Sequence, residues 1–229
     1  MIQVFCFSGS GHSHAVAAYF AQQLQVPVEE IGRRLTGQPG QADTALVVFP
    51  VYCENIPTVV KGFLYTLAAK YVALVATYGR ISHGNVLWEA SKLIHGCVIA
   101  AAYVPMGHTY LDPSKQFDPQ PLHPMFGKLQ HPQPVVLKRE KKHLLSSFFP
   151  AWRSRIGVVI RLDETCDACN ICTEQCPMRA IEAGHIHSNC IRCLRCIDLC
   201  PISALHFELR PILKWYLTHA APKDTEVYL

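Results

Sequence analysis

The sequence CDACNICTEQCP occupies residues 166–177, and the related sequence CIRCLRCIDLCP occupies residues 190–201. Both follow the pattern C-x2-C-x2-C-x3-C-P, so one cysteine motif occurs twice near the C-terminal end of the chain. The two segments hold most of the 11 cysteines of this 229-residue protein. The other three, Cys6, Cys53 and Cys97, are isolated and are predicted to be small buried apolar side chains. The clustered cysteines therefore form a local module.

The spacing of the clustered cysteines is typical of sites that hold a [4Fe–4S] cluster. A loop with two-residue gaps can supply three thiolates to one cubane, and the fourth cysteine lies at the start of a short helix. Pro177 and Pro201 suit the first turn of such a helix, where a missing N–H costs nothing. Zinc favours two C-x2-C pairs across a longer gap, and disulfides suit small secreted domains, so both are weaker alternatives. The repeats predict two clusters and one-electron transfer.

Residues 1–104 alternate between strand and helix patterns. Apolar runs predict five strands, and apolar residues at helical spacing predict helices between them. The predicted strands are 2–7, 27–31, 44–51, 71–77 and 97–104, and two of the predicted helices are 57–69 and 83–95. This order predicts an α/β domain with a doubly wound, five-stranded parallel sheet.

The loop Ser8-Gly9-Ser10-Gly11-His12-Ser13 joins the first predicted strand to the first predicted helix. Its glycines let the backbone approach an anion, and its serine hydroxyls can donate hydrogen bonds to phosphate oxygens. The helix that follows adds free N–H groups and a favourable dipole. The loop is therefore predicted to hold a phosphate group, with an ordinary unliganded turn as the alternative.

This loop, together with Phe7, resembles the phosphate loop of flavodoxins, which typically reads [ST]-x-T-G-N-[ST]. Ser10 stands in the place of the threonine and His12 in the place of the asparagine. The whole chain resembles flavodoxin–ferredoxin fusion proteins of anaerobic bacteria and archaea, which the sequence FPVY at 49–52 followed by Ile56-Pro57 also fits. The resemblance covers roughly residues 1–105 and 156–208. It implies a flavodoxin-like FMN-binding domain at 1–104 and a small α+β, two-cluster ferredoxin-like domain at 156–208.

The resemblance also implies the ligands of each cofactor. FMN would lie at the carboxyl ends of the strands, against the loop residues Ser8, Gly9, Ser10, Gly11, His12 and Ser13 and against Tyr52, Tyr78, Gly79 and Gly84. The fourth cysteine of each repeat would serve the other cluster. The first cluster would take Cys166, Cys169, Cys172 and Cys200, and the second would take Cys190, Cys193, Cys196 and Cys176.

Residues 105–155 form the connection between the two predicted domains. Its prolines between 105 and 134 predict a segment without regular helix or sheet, and its apolar residues favour a loop packed on the domains over an extended linker. Residues 135–149 predict a surface helix with a basic face, or alternatively a docking patch for an acidic redox partner. Within the module we expect strands at 156–162 and 204–209 and a hairpin at 180–188. The tail, 209–229, is predicted to pack back on the module, with partner binding as the alternative.

The composition limits the classes of function. The formal net charge is +4, and two clusters with their thiolates contribute about −2 each, as does an FMN phosphate. The loaded protein would thus be near neutral or mildly acidic, which argues against nucleic-acid binding. Neither a leader peptide nor an apolar run of about 18 residues is visible, so we expect a cytoplasmic protein without a membrane span.

These features predict an electron-transfer iron–sulfur flavoprotein that passes electrons between FMN, two [4Fe–4S] clusters and a redox protein partner. One alternative is a flavin-dependent reductase of a small organic substrate, with protons donated by His12, His14, His83 or His108. A second alternative is a scaffold whose flavodoxin-like domain no longer binds FMN. The sequence is also compatible with a homodimer. Arg192 and Arg195 in the second repeat predict a higher potential for the second cluster.

Overall fold

The computed structural model describes residues 1–32, 42–112, 114–139, 155–182, 184–218 and 223–229. Its N-terminal part contains five parallel strands. The central strands are apolar and buried on both faces, as is typical of parallel sheets. The strands are β1 (Ile2–Cys6), β2 (Val28–Glu30), β3 (Ala42–Pro50), β4 (Ala69–Tyr78) and β5 (Cys97–Pro105). A sixth strand, β10 (Glu226–Tyr228), comes from the C-terminus, and the spatial order is β10-β5-β4-β3-β1-β2.

Helices cover both faces of this sheet. They are α1 (His12–Leu24), α2 (Thr58–Thr66), α3 (Val86–Ser91) and α4 (His123–Gln130). One core layer lies under α2 and α3 and includes Phe49 and Leu64. The other lies under α1 and α4 and includes Phe20 and Met125. The mixed α/β architecture and the five predicted parallel strands are therefore confirmed, with end positions shifted by a few residues.

The tail departs from the prediction. Its first half forms a helix, α7 (Pro211–Thr218), in which Leu213 lies against Gly157 at the start of the module. Its last residues instead pair with the N-terminal sheet, because Glu226 is the antiparallel neighbour of Tyr103 in β5. The sheet thus has six strands rather than five.

The proline-rich connection also differs from the prediction. It was expected to lack regular structure, but residues 120–130 form a short 3-10 turn followed by α4. Pro124 stands in the first turn of α4, where its lack of an N–H removes no helical hydrogen bond. The expected packing is confirmed, because Met106, Leu122 and Met125 are fully buried. Residues 135–139 form no helix, and the rest of the basic segment, 140–149, lies outside the described residues.

The module contains the pair of strands and the hairpin that the sequence predicts. Strands β6 (Val158–Leu162) and β9 (Leu205–Leu209) pair antiparallel, and a hairpin joins β7 (Ile181–Glu182) to β8 (His185–Ile186) through Gly184. Each cysteine repeat contains one four-residue helix, α5 (Ile171–Glu174) or α6 (Arg195–Asp198). In the described part of the chain, no helix combines the length and apolar character needed to cross a bilayer.

Candidate functional site

The eight clustered cysteines line two separate cavities, four to each. The inner cavity is lined by Cys176, Cys190, Cys193 and Cys196, with Ile160, Ile181, Ile191 and Leu194 among its apolar neighbours. The outer cavity is lined by Cys166, Cys169, Cys172 and Cys200, with Leu162, Ile202 and Leu205 nearby. Each cavity thus contains three cysteines from one repeat and the fourth cysteine from the other. The grouping is the one implied by the resemblance, while the identity of the bound group stays a prediction.

The backbone of the two repeats explains this exchange of cysteines. Ala168 and Arg192 occupy equivalent positions and have φ angles of 58° and 55°. Asn170 and Leu194 are equivalent as well, with φ angles of 62° and 63°. These left-handed residues, which are uncommon outside glycine, turn each loop around its cavity and then start α5 or α6. The two repeats therefore share one backbone course around their cavities.

Backbone N–H groups point at the sulfur atoms from equivalent positions. Ala180 donates to Cys176 Sγ and Ala204 donates to Cys200 Sγ, both over 3.2 Å. In the inner cavity Arg192 N–H lies 3.4 Å from Cys190 Sγ. Such bonds stabilise negative charge on sulfur and are among the groups that set the potential of a cluster.

Burial makes the inner cysteines poor thiolates unless a metal is bound. Burial, with smaller contributions from neighbouring cysteines, raises the pKa of Cys193 and of Cys196 to about 12. Metal coordination deprotonates such thiols. Among the described residues, no group of three or more His, Cys, Asp or Glu side chains could hold a single metal ion.

The predicted phosphate loop lies at the carboxyl end of β1, and its hydroxyls are already engaged. Ser8 Oγ accepts the N–H of Gly11 at 3.0 Å. Ser10 Oγ bonds His12 Nδ1 at 2.8 Å, and Ser13 Oγ bonds Thr77 Oγ1 at 2.7 Å. Ser10 Oγ also accepts from Thr109 Oγ1 at 3.2 Å. Within the described residues the backbone N–H groups of Ser10, His12 and Ser13 have no protein acceptor, so the loop retains donors that suit an anion.

Positive and polar groups surround this loop. The side chain of Lys115 lies over Gly11, so that a Cβ there would be 2.9 Å from Nζ. His12 is only 6 % exposed, and its Nε2 has no hydrogen-bond partner in the described structure. Burial is the main cause of the lowered pKa of His12; Lys115 adds to it, and Ser114 and Asp112 oppose it. Lys115, rather than His12, is therefore a positive charge beside this loop.

The predicted contacts of the flavin ring are covered by protein groups. A Cβ at Gly79 would lie 2.5 Å from the ring of His108, and one at Gly84 would lie 2.8 Å from Glu54 Cβ. Tyr78 is 3 % exposed and packs edge-on against His83 at 5.1 Å. Tyr52 lies over Gly9 and shares that position with Cys193. The described arrangement therefore suits an anion at the loop but leaves the ring contacts of FMN occupied by side chains.

The module docks on this same edge of the sheet. Met178 and Ile191 pack against the core layer under α2 and α3. Arg195 Nη1 lies 3.4 Å from the carbonyl of Ser8, and Tyr110 donates from its hydroxyl to the carbonyl of Arg192 at 2.9 Å. The inner cavity consequently faces the α/β domain. At the outer cavity Cys166 and Cys169 are exposed.

Sequence reasoning missed the groups that join the two domains. Tyr110 and Lys115 lie in the proline-rich connection and belong to no motif, and Met178 directly follows Pro177 of the first repeat. The only available signal was the apolar content of the connection, which predicted packing but not its partner. Of the isolated cysteines, Cys6 is buried as expected, whereas Cys53 and Cys97 are half-buried.

In comparisons with known proteins, no family model, no curated protein and no solved structure matched this chain.

Proposed function

We propose that this protein is a one-electron carrier that holds two [4Fe–4S] clusters, one in each four-cysteine cavity. The observation that carries the proposal is the division of eight cysteines into two cavities of four, each with three cysteines from one repeat and one from the other. Each cluster, when bound, would accept and release a single electron. The protein contributes eight thiolates, N–H groups directed at sulfur, and apolar walls that limit water.

The two cavities differ in access. Cys166 and Cys169 are exposed at the outer cavity, whereas the inner cysteines are half-buried and face the α/β domain. The outer cavity also has Leu162 and Ile202 on its rim, with 39 % and 42 % exposure. A redox protein partner would therefore exchange electrons at the outer cavity.

The role of the α/β domain depends on FMN. Its strand order, β2-β1-β3-β4-β5, is that of flavodoxin-like folds, which bind FMN at the edge where the module docks. The N–H groups of the loop and Lys115 favour the phosphate, but His108 and Tyr52 would have to move for the ring to bind. No electron-transfer step is therefore assigned to FMN here.

The covered ring contacts favour a second candidate function, in which the α/β domain binds no FMN and serves as a support for the clusters. Flavin content separates the two candidates. Acid treatment of protein purified without oxygen would release about one FMN per chain for a flavoprotein and none for a support domain.

Metal analysis of the same sample tests the main proposal. We expect about eight irons and about eight sulfides per chain, with an electron paramagnetic resonance (EPR) signal after reduction by dithionite. Cys97→Ala, outside both motifs, should keep this content, whereas Cys196→Ala should lose about half of the iron. Stoichiometric zinc without sulfide would overturn the proposal.

A further inference from the structure

We propose that the α/β domain, by packing against the site of the inner cluster, raises the reduction potential of that cluster above that of the outer cluster. The groups involved are the loop 8–13 with the start of α1, Lys115 of the connection, and Arg192 and Arg195 of the second repeat. The inference rests on the proposed function, because it requires both clusters, and it assigns to the α/β domain a role that needs no flavin.

The first argument is contact. A Cβ at Gly9 would overlap the Cβ of Cys193 and would lie 3.2 Å from its Sγ. Tyr52 Oη would lie 2.7 Å from that added Cβ of residue 9. The loop backbone therefore reaches one of the four inner thiols directly, and only glycine leaves room for this approach. The α/β domain thus packs directly against one of the cysteines that line the inner cavity.

The second argument is charge. α1 has 13 residues and begins at His12, so the positive end of its dipole lies at the loop that touches Cys193. Lys115 lies over Gly11 and Arg195 over Ser8. Arg192 has two guanidinium nitrogens, Nε and Nη1, that are buried without a hydrogen-bond partner among the described residues.

Buried cationic groups without partners are costly unless an anion lies nearby. A [4Fe–4S] core with four thiolates carries about −2 when oxidised and gains a further negative charge on reduction. The cationic groups around the inner cavity therefore stabilise the reduced state more than the oxidised state, and the potential of that cluster rises.

On the inner side the carboxylate of Asp198 lies near Lys115 and His12 and is outnumbered by the cations; near the outer cavity the sequence places several carboxylates. In the first repeat Asp167 takes the position next to the first cysteine and accepts the N–H of Cys169 at 3.1 Å. Asp163 and Glu164 directly precede the repeat. These carboxylates disfavour an extra negative charge on the outer cluster, and no contact with the α/β domain covers its exposed cysteines Cys166 and Cys169 in the described structure.

This difference in reduction potential gives electron transfer through the module a direction. A one-electron donor of low potential would reduce the outer cluster, and that electron would then pass to the inner cluster, so that the outer cluster returns to its oxidised state. One electron moves in each step, no bond forms or breaks, and no proton is transferred. The inner cluster, next to the α/β domain, would hold the electron.

The test is a redox titration of the iron-loaded, full-length protein, monitored by EPR. We expect two midpoints in the unmodified protein. Arg195→Gln and Lys115→Gln should each move the higher midpoint to a lower potential and leave the lower one in place. Arg195→Lys, which keeps the charge, should leave the higher midpoint close to its value in the unmodified protein. The matched controls are Arg161→Gln, an exposed residue of the module, and Lys61→Gln, an exposed residue of α2; neither should move a midpoint.

Two results would separate the possible failures. If the unmodified protein contains both clusters but Arg195→Gln and Lys115→Gln move neither midpoint, or move both equally, the inference is wrong and the proposed function stands. If the unmodified protein binds no [4Fe–4S] clusters, the proposed function itself is wrong. Iron content and far-ultraviolet circular dichroism of each variant exclude loss of folding, and Gly9→Ala gives an independent uncharged disturbance of the same contact.

Discussion

The hydroxyl of Tyr110 donates a 2.9 Å hydrogen bond to the backbone carbonyl of Arg192, and this bond joins the segment after β5 to the second cysteine loop. The ring of Tyr110 also packs against Phe207 of β9, with ring centroids 6.2 Å apart. Tyr110 of the connection therefore contacts both the second cysteine loop and strand β9 of the module.

Replacing Tyr110 with phenylalanine should weaken this connection. The substitution keeps the ring but removes the donor, so the Arg192 carbonyl loses its partner at a cost of about 1 kcal/mol in unfolding free energy. Urea unfolding without oxygen, followed by circular dichroism, would measure the change. Tyr65→Phe is the control, because Tyr65 is 64 % exposed. Equal stability of the two variants would contradict the role assigned to the bond.

Gly9→Ala should disturb the contact between the domains. The added methyl group would overlap Cys193 and approach Tyr52, so we expect a loss of roughly 1–3 kcal/mol and weaker retention of iron in the inner cavity. Gly62→Ala provides a matched control, because nothing lies within 4 Å of a Cβ there. At the exposed position 62 on the outer face of α2, the control should gain about 0.5–1 kcal/mol. Iron retention over time and urea unfolding would check both, and an unaffected Gly9→Ala protein would show that the contact is adjustable.

The fourth cysteine of each repeat lines the cavity formed mainly by the other repeat. Replacing it should therefore remove the other repeat's cluster and not that of its own repeat. Cys176 belongs to the first repeat but lines the inner cavity, and Cys200 belongs to the second repeat but lines the outer one. Cys176→Ala should therefore lose the inner cluster with the higher midpoint, and Cys200→Ala should lose the outer cluster. Redox titration of the remaining EPR signal distinguishes the two. The reverse assignment would mean that each repeat binds its own cluster.

Stability should fall in mild acid because of His108. Burial, with a smaller contribution from His12, lowers the pKa of His108 from 6.5 to about 4. The unfolded chain binds a proton at this residue below about pH 6.5, while the folded protein does so only near pH 4. The contribution of neutral His108 to the free energy of unfolding is therefore complete above pH 6.5. It is lost as the pH falls toward 4, and the loss between pH 7 and pH 5 is roughly 2 kcal/mol.

Urea unfolding of His108→Gln at several pH values would check this dependence. The variant should show a shallower loss of stability between pH 7 and pH 5 than the unmodified protein. His131→Gln, which changes an exposed histidine after α4, should keep the original slope. An unchanged slope in His108→Gln would contradict a buried neutral His108.

The elements with strong local signals could be predicted from the sequence. Long apolar runs specified β3 and β4, which are buried on both faces, and the resemblance to two-cluster ferredoxins implied the grouping of cysteines that lines each cavity. Pairing of β10 could not be foreseen, because Glu226–Tyr228 is only three residues long and carries no strand pattern of its own. The contact between Gly9 and Cys193 depends on how two domains dock, and residues far apart in sequence leave no local signal for it.

The pairing of β10 with β5 determines how the module is connected to the α/β domain. Residues 158–209 lie between β5 and β10 in the sequence, so the module is an insertion into the α/β domain rather than a C-terminal appendage. An inserted unit has two covalent connections to its host, which restrict its rotation much more than one linker does. The module is thus joined at both ends to neighbouring strands of its host, β5 and β10.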